Sequence, residues 1–137
     1  MAIQKSSTKT ALDLGNFESV VDEKLNSIFQ RLTKNQTIID KSISYALSNP
    51  GKRIRPTLVF LVGDFLGIET SRLESIAGAI ELIHTYSLVH DDLPCMDDDD
   101  LRRGKPTLHK KFNESTAVLA GDALQTLAFN LILDDIN

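Results

Sequence analysis

From Phe17 onward the apolar residues Val20, Val21, Leu25, Ile28, Phe29 and Leu32 return at steps of three and four. That period belongs to a helix with one buried face rather than to a strand. Residues 1–14 lack the pattern and read as a polar, frayed lead-in to a single domain over residues 15–137. A second, shorter helix carries Ile38, Ile39, Ile43, Ala46 and Leu47, and Asn49-Pro50-Gly51 ends it with turn chemistry. A basic loop, Lys52 to Arg55, leads to Pro56, whose fixed φ suits the first turn of a third helix running to about Gly67. Because TLVFLVGDFL is apolar almost all round, that helix is expected to be buried.

Ser71 with Glu74 three residues on has the form of a capping box, and Ile76, Ala79, Ile80, Ile83 and Leu88 continue a fourth helix toward Pro94. After a charged irregular stretch, a last helix begins near Glu114 or Ser115 and runs through AVLAGDALQTLAFNLILDD. Only Asp122, Gln125, Thr126 and Asn130 interrupt its apolar residues between Ala117 and Leu133, so it needs cover on most sides. No alternating strand pattern is present, and the expected class is all-α: an antiparallel helical bundle.

A chain of 137 residues with 42% hydrophobic content can bury one modest core. The net charge of −4 argues against a protein held on nucleic acid by a broad basic face. The single cysteine, Cys95, excludes an internal disulfide and suits a reducing compartment. The N-terminal residues lack the apolar core of a secretory signal, and the expectation is a cytoplasmic protein without an integral membrane segment.

Within ten positions, HDDLPCMDDDD places carboxylates at Asp91, Asp92, Asp97, Asp98, Asp99 and Asp100. An acidic run taken alone is most often a solvated loop. So dense a set of like charges nevertheless repels itself unless cations gather, and hard oxygen donors favour magnesium, manganese or calcium over zinc. An EF-hand is excluded, since the sixth-position glycine and twelfth-position glutamate are not at the required spacing. Arg102 and Arg103 follow directly, and guanidiniums beside a metal cluster are suited to clamping a phosphate that the metal also binds. A second cationic group, Lys52, Arg53 and Arg55, offers another phosphate site. His84, Ser87 and Asp91 fall on one face of the fourth helix. Asp91 and Asp97 are six apart, so the helix end must bend near Pro94 if both are to meet one metal site.

GKRIRP, LVHDDLPCMDDDDLRRGKPTLH and AGDALQTLAF together resemble the trans-isoprenyl diphosphate synthases, most closely the bacterial farnesyl diphosphate type. The resemblance implies a helical bundle of the isoprenoid synthase type around a deep cavity. It also implies a prenyltransferase that joins isopentenyl diphosphate to dimethylallyl or geranyl diphosphate. By position, Asp91 and Asp97 resemble ligands of the Mg2+ ions that bind the allylic diphosphate, with Asp92 supporting them; Mn2+ is an alternative ion. Arg102 resembles the allylic diphosphate clamp, while Lys52, Arg55, His84 and Arg103 resemble the isopentenyl diphosphate site. Tyr86 and Ser87, five and four residues before Asp91, resemble the chain-length pocket of the farnesyl type. In such enzymes the released diphosphate takes the proton, so no side-chain base is sought.

Family members carry a second aspartate-rich motif that these 137 residues lack, since Asp134 and Asp135 stand without the matching context. The expectation is an apparently truncated, N-terminal part of a synthase, inactive alone and self-associating through its last helix as a homodimer would. A non-catalytic partner subunit is the alternative, against which the intact GKRIRP, aspartates and arginine pair argue. A terpene cyclase would share an aspartate motif but has no need of the second basic site.

Overall fold

The computed structural model describes residues 14–32, 36–49 and 51–136. The expected lead-in lies outside the described residues apart from Leu14, as do Pro50 and the side chains of Phe17, Ile28, Phe29 and Leu32. Among the described residues six helices carry the fold: α1 (Leu14–Leu32), α2 (Ile38–Leu47), α3 (Ile54–Phe65), α4 (Glu74–Asp91), α5 (Leu108–Lys111) and α6 (Glu114–Ile136). The all-α expectation holds. One small addition is an antiparallel hairpin of β1 (Leu101–Arg102) and β2 (Lys105–Pro106), pairing Leu101 with Pro106 and Arg102 with Lys105.

The core collects one apolar stripe from each long helix: Val21 and Leu25 of α1, Ile43 and Leu47 of α2, Phe60 of α3, Ala77 and Leu82 of α4, Leu124 and Leu131 of α6. The α4–α6 contact is the most extensive between helices. Across it Gly78 of α4 lies against Leu131 of α6 and Gly121 of α6 against His90 of α4, and the alanines Ala77, Ala79, Ala117, Ala120 and Ala128 of the two helices are all at most 1% exposed. Small side chains let two helix backbones approach closely and exclude water from the seam.

Two helix expectations need correction. The capping box at Ser71–Glu74 does not form: Thr70–Arg72 make a 3₁₀ turn, and Leu73 precedes α4 without a side-chain cap. The capping box lies instead on α2, where Thr37 Oγ1 accepts from Asp40 N (3.1 Å) and Asp40 Oδ2 accepts from Thr37 N (2.9 Å). Nor is α3 buried all round. Phe60 is 1% exposed, whereas Leu58, Val62 and Phe65 are more than half exposed. Together with Leu66, Ile68, Leu73, Ile76 and Ile80 the outer face of α3 bounds an open apolar trough of about 510 Å3, with Arg55 at one end.

Helix α6 is long and apolar enough over Glu114–Asp134 to cross a membrane by length and composition alone, which core helices also satisfy. Its inner stripe packs on α4, while Val118, Leu119 and Phe129 stay 40–58% exposed.

Candidate active site

The acidic cluster sits where α4 runs out. Asp91 is the last helical residue, and the chain turns back through Leu93–Met96 so that Asp97 N donates to Asp91 O (2.8 Å) and Asp98 N to Leu93 O (3.1 Å). The bend expected near Pro94 is therefore present, and it brings the backbones of Asp91 and Asp97 together. Asp98 completes it in the left-handed region (φ 52°), which aspartate tolerates better than most residues.

The six carboxylates are not equivalent. Asp92 is 3% exposed and accepts from Arg102 Nε (2.8 Å) and Nη2 (2.5 Å). Asp99 lies 3.6 Å from the same guanidinium, and Asp100 pairs with Lys110 at 2.8 Å. Hydrogen bonding to Lys110 holds the Asp100 carboxyl below its ordinary pKa, and hydrogen bonding to Asp92 raises that of Arg102. Asp91, Asp97 and Asp98 have no such partner among the described residues. Asp91 acts on Arg102, and Asp98 on Lys110, through charge alone.

On the other side of the site, the β1–β2 hairpin is pinned to the end of α2. Tyr45 Oη donates to Pro106 O (2.8 Å), Asn49 Nδ2 to Arg102 O (3.1 Å) and Arg103 Nη1 to Asn49 O (2.7 Å). The two turn residues, Arg103 (φ 53°) and Gly104 (φ 77°), both take positive φ, as a two-residue hairpin turn of this hand requires. The result is a cleft of about 610 Å3 lined by Gly51, Lys52, Arg53, Ile54, Arg55, Glu81, His84 and Arg103. Lys52, Arg55, His84 and Arg103, gathered from three separate stretches of sequence, thus share one cleft. Arg55 Nη1 lies 3.2 Å from His84 Nε2. Burial, then the charge of Arg55, lowers the His84 pKa below its ordinary value, so its neutral ring accepts from that arginine near pH 7. Asp92, Arg102 and Arg103 line an adjoining pocket that also reaches His84.

Sequence reasoning left Arg53 among the loop cations, but it is not available to a ligand as Lys52 and Arg55 are. It is buried and pairs with Glu81 (2.5 Å) and Asp22 (2.7 Å), tying α1, the loop and α4 together. Glu81, four residues after Ala77 on α4, carried no sequence signal beyond being a charge on an apolar stripe. Neither Tyr86 nor Ser87 lines either cleft. Ser87 Oγ donates to His84 O (2.9 Å), and Tyr86 packs edge-on against His90 at 5.8 Å. His90 Nε2 lies 3.0 Å from Val118 O, in a notch where a Cβ on Gly121 would collide with the imidazole.

Among the described residues no group of three or more His, Cys, Asp or Glu side chains is assembled to hold a metal by itself. Magnesium does not require one, because it commonly takes one or two carboxylates and completes its shell with substrate phosphate oxygens and water. The donor set of Asp91 and Asp97 fits an ion shared with a diphosphate.

An all-helical bundle with an aspartate-bearing helix end beside a cationic hairpin is the architecture of the isoprenoid synthase type. A geranyltranstransferase structure from Thermotoga maritima superposes with a TM-score of 0.85 at 40% identity, covering 90% of this chain and 46% of that one. The farnesyl diphosphate synthase of Escherichia coli is 50% identical over 82% of this chain and 38% of its own length. That of Haemophilus influenzae is 47% identical over 88% and 41%. Residues 36–135 match the family described as Polyprenyl synthetase, and the chain belongs to that family. It spans about two-fifths of the length of the relatives it matches.

Proposed function

We propose that this chain forms the diphosphate-binding part of a prenyltransferase that condenses isopentenyl diphosphate with dimethylallyl or geranyl diphosphate to give farnesyl diphosphate. The observation that carries the reading is the convergence of Lys52, Arg55, His84 and Arg103 on one cleft, adjoined by the pocket that Asp92 and Arg102 line at the end of the aspartate-bearing helix.

In this reading Lys52, Arg55, His84 and Arg103 hold the diphosphate of isopentenyl diphosphate. Asp91 and Asp97 hold the Mg2+ that the allylic diphosphate brings with it, and Mn2+ would satisfy the same oxygens. When bound, the metal neutralises the leaving group and so favours ionisation of the allylic carbon–oxygen bond. Arg102, held by Asp92, keeps Nη1 for the departing diphosphate. Asp92 then acts through Arg102 rather than as a metal ligand. The double bond of isopentenyl diphosphate attacks the allylic carbon, a proton is lost to the released diphosphate, and no side-chain base is needed.

The trough between α3 and α4 supplies an apolar wall for the hydrocarbon. Ile76, Ile80 and Ser87 share one stripe of α4 by helical spacing, so a growing chain would run from Asp91 past Ser87 toward Ile76 and be kept from water. Ser87 and its neighbour Tyr86 would bound product length. The exposed apolar residues Val118, Leu119 and Phe129 of α6 fit a homodimer contact, and the single thiol fits a cytoplasmic location.

Calorimetry of the purified chain with inorganic diphosphate tests the site. Binding should strengthen when magnesium is present, and Asp91→Ala and Asp97→Ala should each remove that gain. Equal binding with and without the metal would overturn the assignment.

A further inference from the structure

Gly51 is a glycine for lack of room, not for backbone freedom. Its φ is not positive, unlike those of Gly67 and Gly104, so an alanine would fit the backbone. What a Cβ would strike is the Arg103 guanidinium, whose Nη2, Cζ and Nη1 all lie under 3.0 Å from where that Cβ would sit. The planar group therefore rests flat on the loop at this one residue. Arg103 Nη1 is fixed there by Asn49 O (2.7 Å), while Asn49 Nδ2 grips the Arg102 carbonyl (3.1 Å) that precedes Arg103. The loop after α2 thus holds both the peptide and the guanidinium of a residue more than fifty positions further on. Arg103 itself occupies the left-handed region (φ 53°), where an unbranched but non-glycine residue is disfavoured. Strain of that kind persists where the surroundings over-determine it.

We propose that Gly51 and Asn49 are positioning residues that seat the Arg103 guanidinium, so that it faces the same cleft as Lys52, Arg55 and His84 and presents its fork to a diphosphate. Without the seat, an exposed arginine on a hairpin turn would sample many rotamers and lose the pre-organisation that makes its fork effective. The Arg103 charge also helps to lower the His84 pKa, which agrees with the guanidinium's lying over the cleft. The inference rests on the reading of that cleft as a diphosphate site.

The test is calorimetry with inorganic diphosphate, without metal, on the wild-type chain and on Gly51→Ala, Arg103→Ala and their double variant, with thermal melting as a check on folding. Gly51→Ala and Arg103→Ala should each weaken binding about tenfold, one charge-assisted hydrogen bond. The double variant should bind no more weakly than Arg103→Ala, since the two changes remove the same contact. In an Arg103→Lys background, Gly51→Ala should have no further effect, because an ammonium has no plane to seat. That arm also separates lost positioning from lost folding. Wild-type binding by Gly51→Ala beside a weakened Arg103→Ala would overturn the seat, and so would fully additive losses. If Arg103→Ala and Lys52→Ala both bind like wild type, the cleft is not a diphosphate site and the seat has nothing to serve.

Discussion

Asp92 accepts hydrogen bonds from two nitrogens of Arg102, from Nε at 2.8 Å and 3.0 Å and from Nη2 at 2.5 Å, and is 3% exposed. Its neighbour Asp91 makes no side-chain hydrogen bond or ion pair among the described residues and acts on Arg102 only through charge. Two adjacent aspartates of the same motif thus differ, one paired with Arg102 by hydrogen bonds and one acting on that arginine through charge alone. That difference separates two kinds of variant.

Asp92→Ala should destabilise the fold by about 3 kcal/mol, the scale for breaking a mostly buried ion pair and leaving its partner unmatched. Asp91→Ala should change stability by less than about 0.5 kcal/mol, or raise it slightly by relieving repulsion. Urea unfolding of the two variants at one pH decides this. Equal losses would mean that the two carboxylates are not partitioned as described.

The Arg53–Glu81 pair (2.5 Å), with side chains 6% and 4% exposed, is the buried brace between the loop and α4. Glu81→Ala should cost about 3–5 kcal/mol by stranding Arg53, although Asp22 at 2.7 Å keeps part of the compensation. Replacing both residues with apolar ones of similar size, Arg53→Met with Glu81→Leu, should recover most of the loss in the same unfolding measurement.

Much of this was legible in the sequence. The step of three and four marked five helices, α1 to α4 and α6, closely enough that α6 begins at Glu114, as expected, whereas the single turn of α5 is too short to show a period. The grouping of Lys52, Arg55, His84 and Arg103 came from the family resemblance, and the structure gathers the four around one cleft. Three features were not legible, each for a physical reason. A hairpin of two residues per strand is too short for alternation, and its only signal was the Arg103-Gly104 turn. The capping box on α2 has aspartate rather than glutamate at its third position, while the Ser71–Glu74 pattern was overridden by a 3₁₀ turn. The six aspartates look alike in sequence, and only the return of the chain to Arg102 and Lys110 divides them. The exposure of Leu58, Val62 and Phe65 has a similar origin, because periodicity reports which residues are apolar and not which face finds a partner.

His84 gives a pH dependence of known sign. Burial and Arg55 hold its folded pKa below the unfolded value of 6.5. A folded state that binds the proton less readily keeps its full stability above that value and loses it as pH falls toward the folded pKa. Wild-type stability should therefore decline between pH 7 and pH 5 more steeply than that of His84→Asn, which has no proton to gain. Identical slopes in denaturant titrations would exclude His84 as the source.

Asp98 closes the loop that brings Asp97 back to Asp91, and does so with φ at 52°. Asparagine accepts that conformation about as readily as aspartate, whereas a β-branched residue crowds its own carbonyl there. Asp98→Asn should leave stability within about 0.5 kcal/mol of wild type, and Asp98→Val should cost about 1–2 kcal/mol. Asp98 makes no side-chain hydrogen bond or ion pair among the described residues and acts on Lys110 through charge, so the asparagine variant, which removes the charge and keeps the backbone, isolates the part of the valine's effect that acts through the turn. If the Asp97–Asp91 turn sets the spacing of the two carboxylates, Asp98→Val should also weaken the magnesium-dependent part of diphosphate binding. Its metal-independent part, assigned by proposal to the cleft of Lys52, Arg55 and His84, should be unchanged. Calorimetry with and without magnesium separates the two, and a valine variant that keeps the full magnesium gain would show that the turn does not control the carboxylate pair.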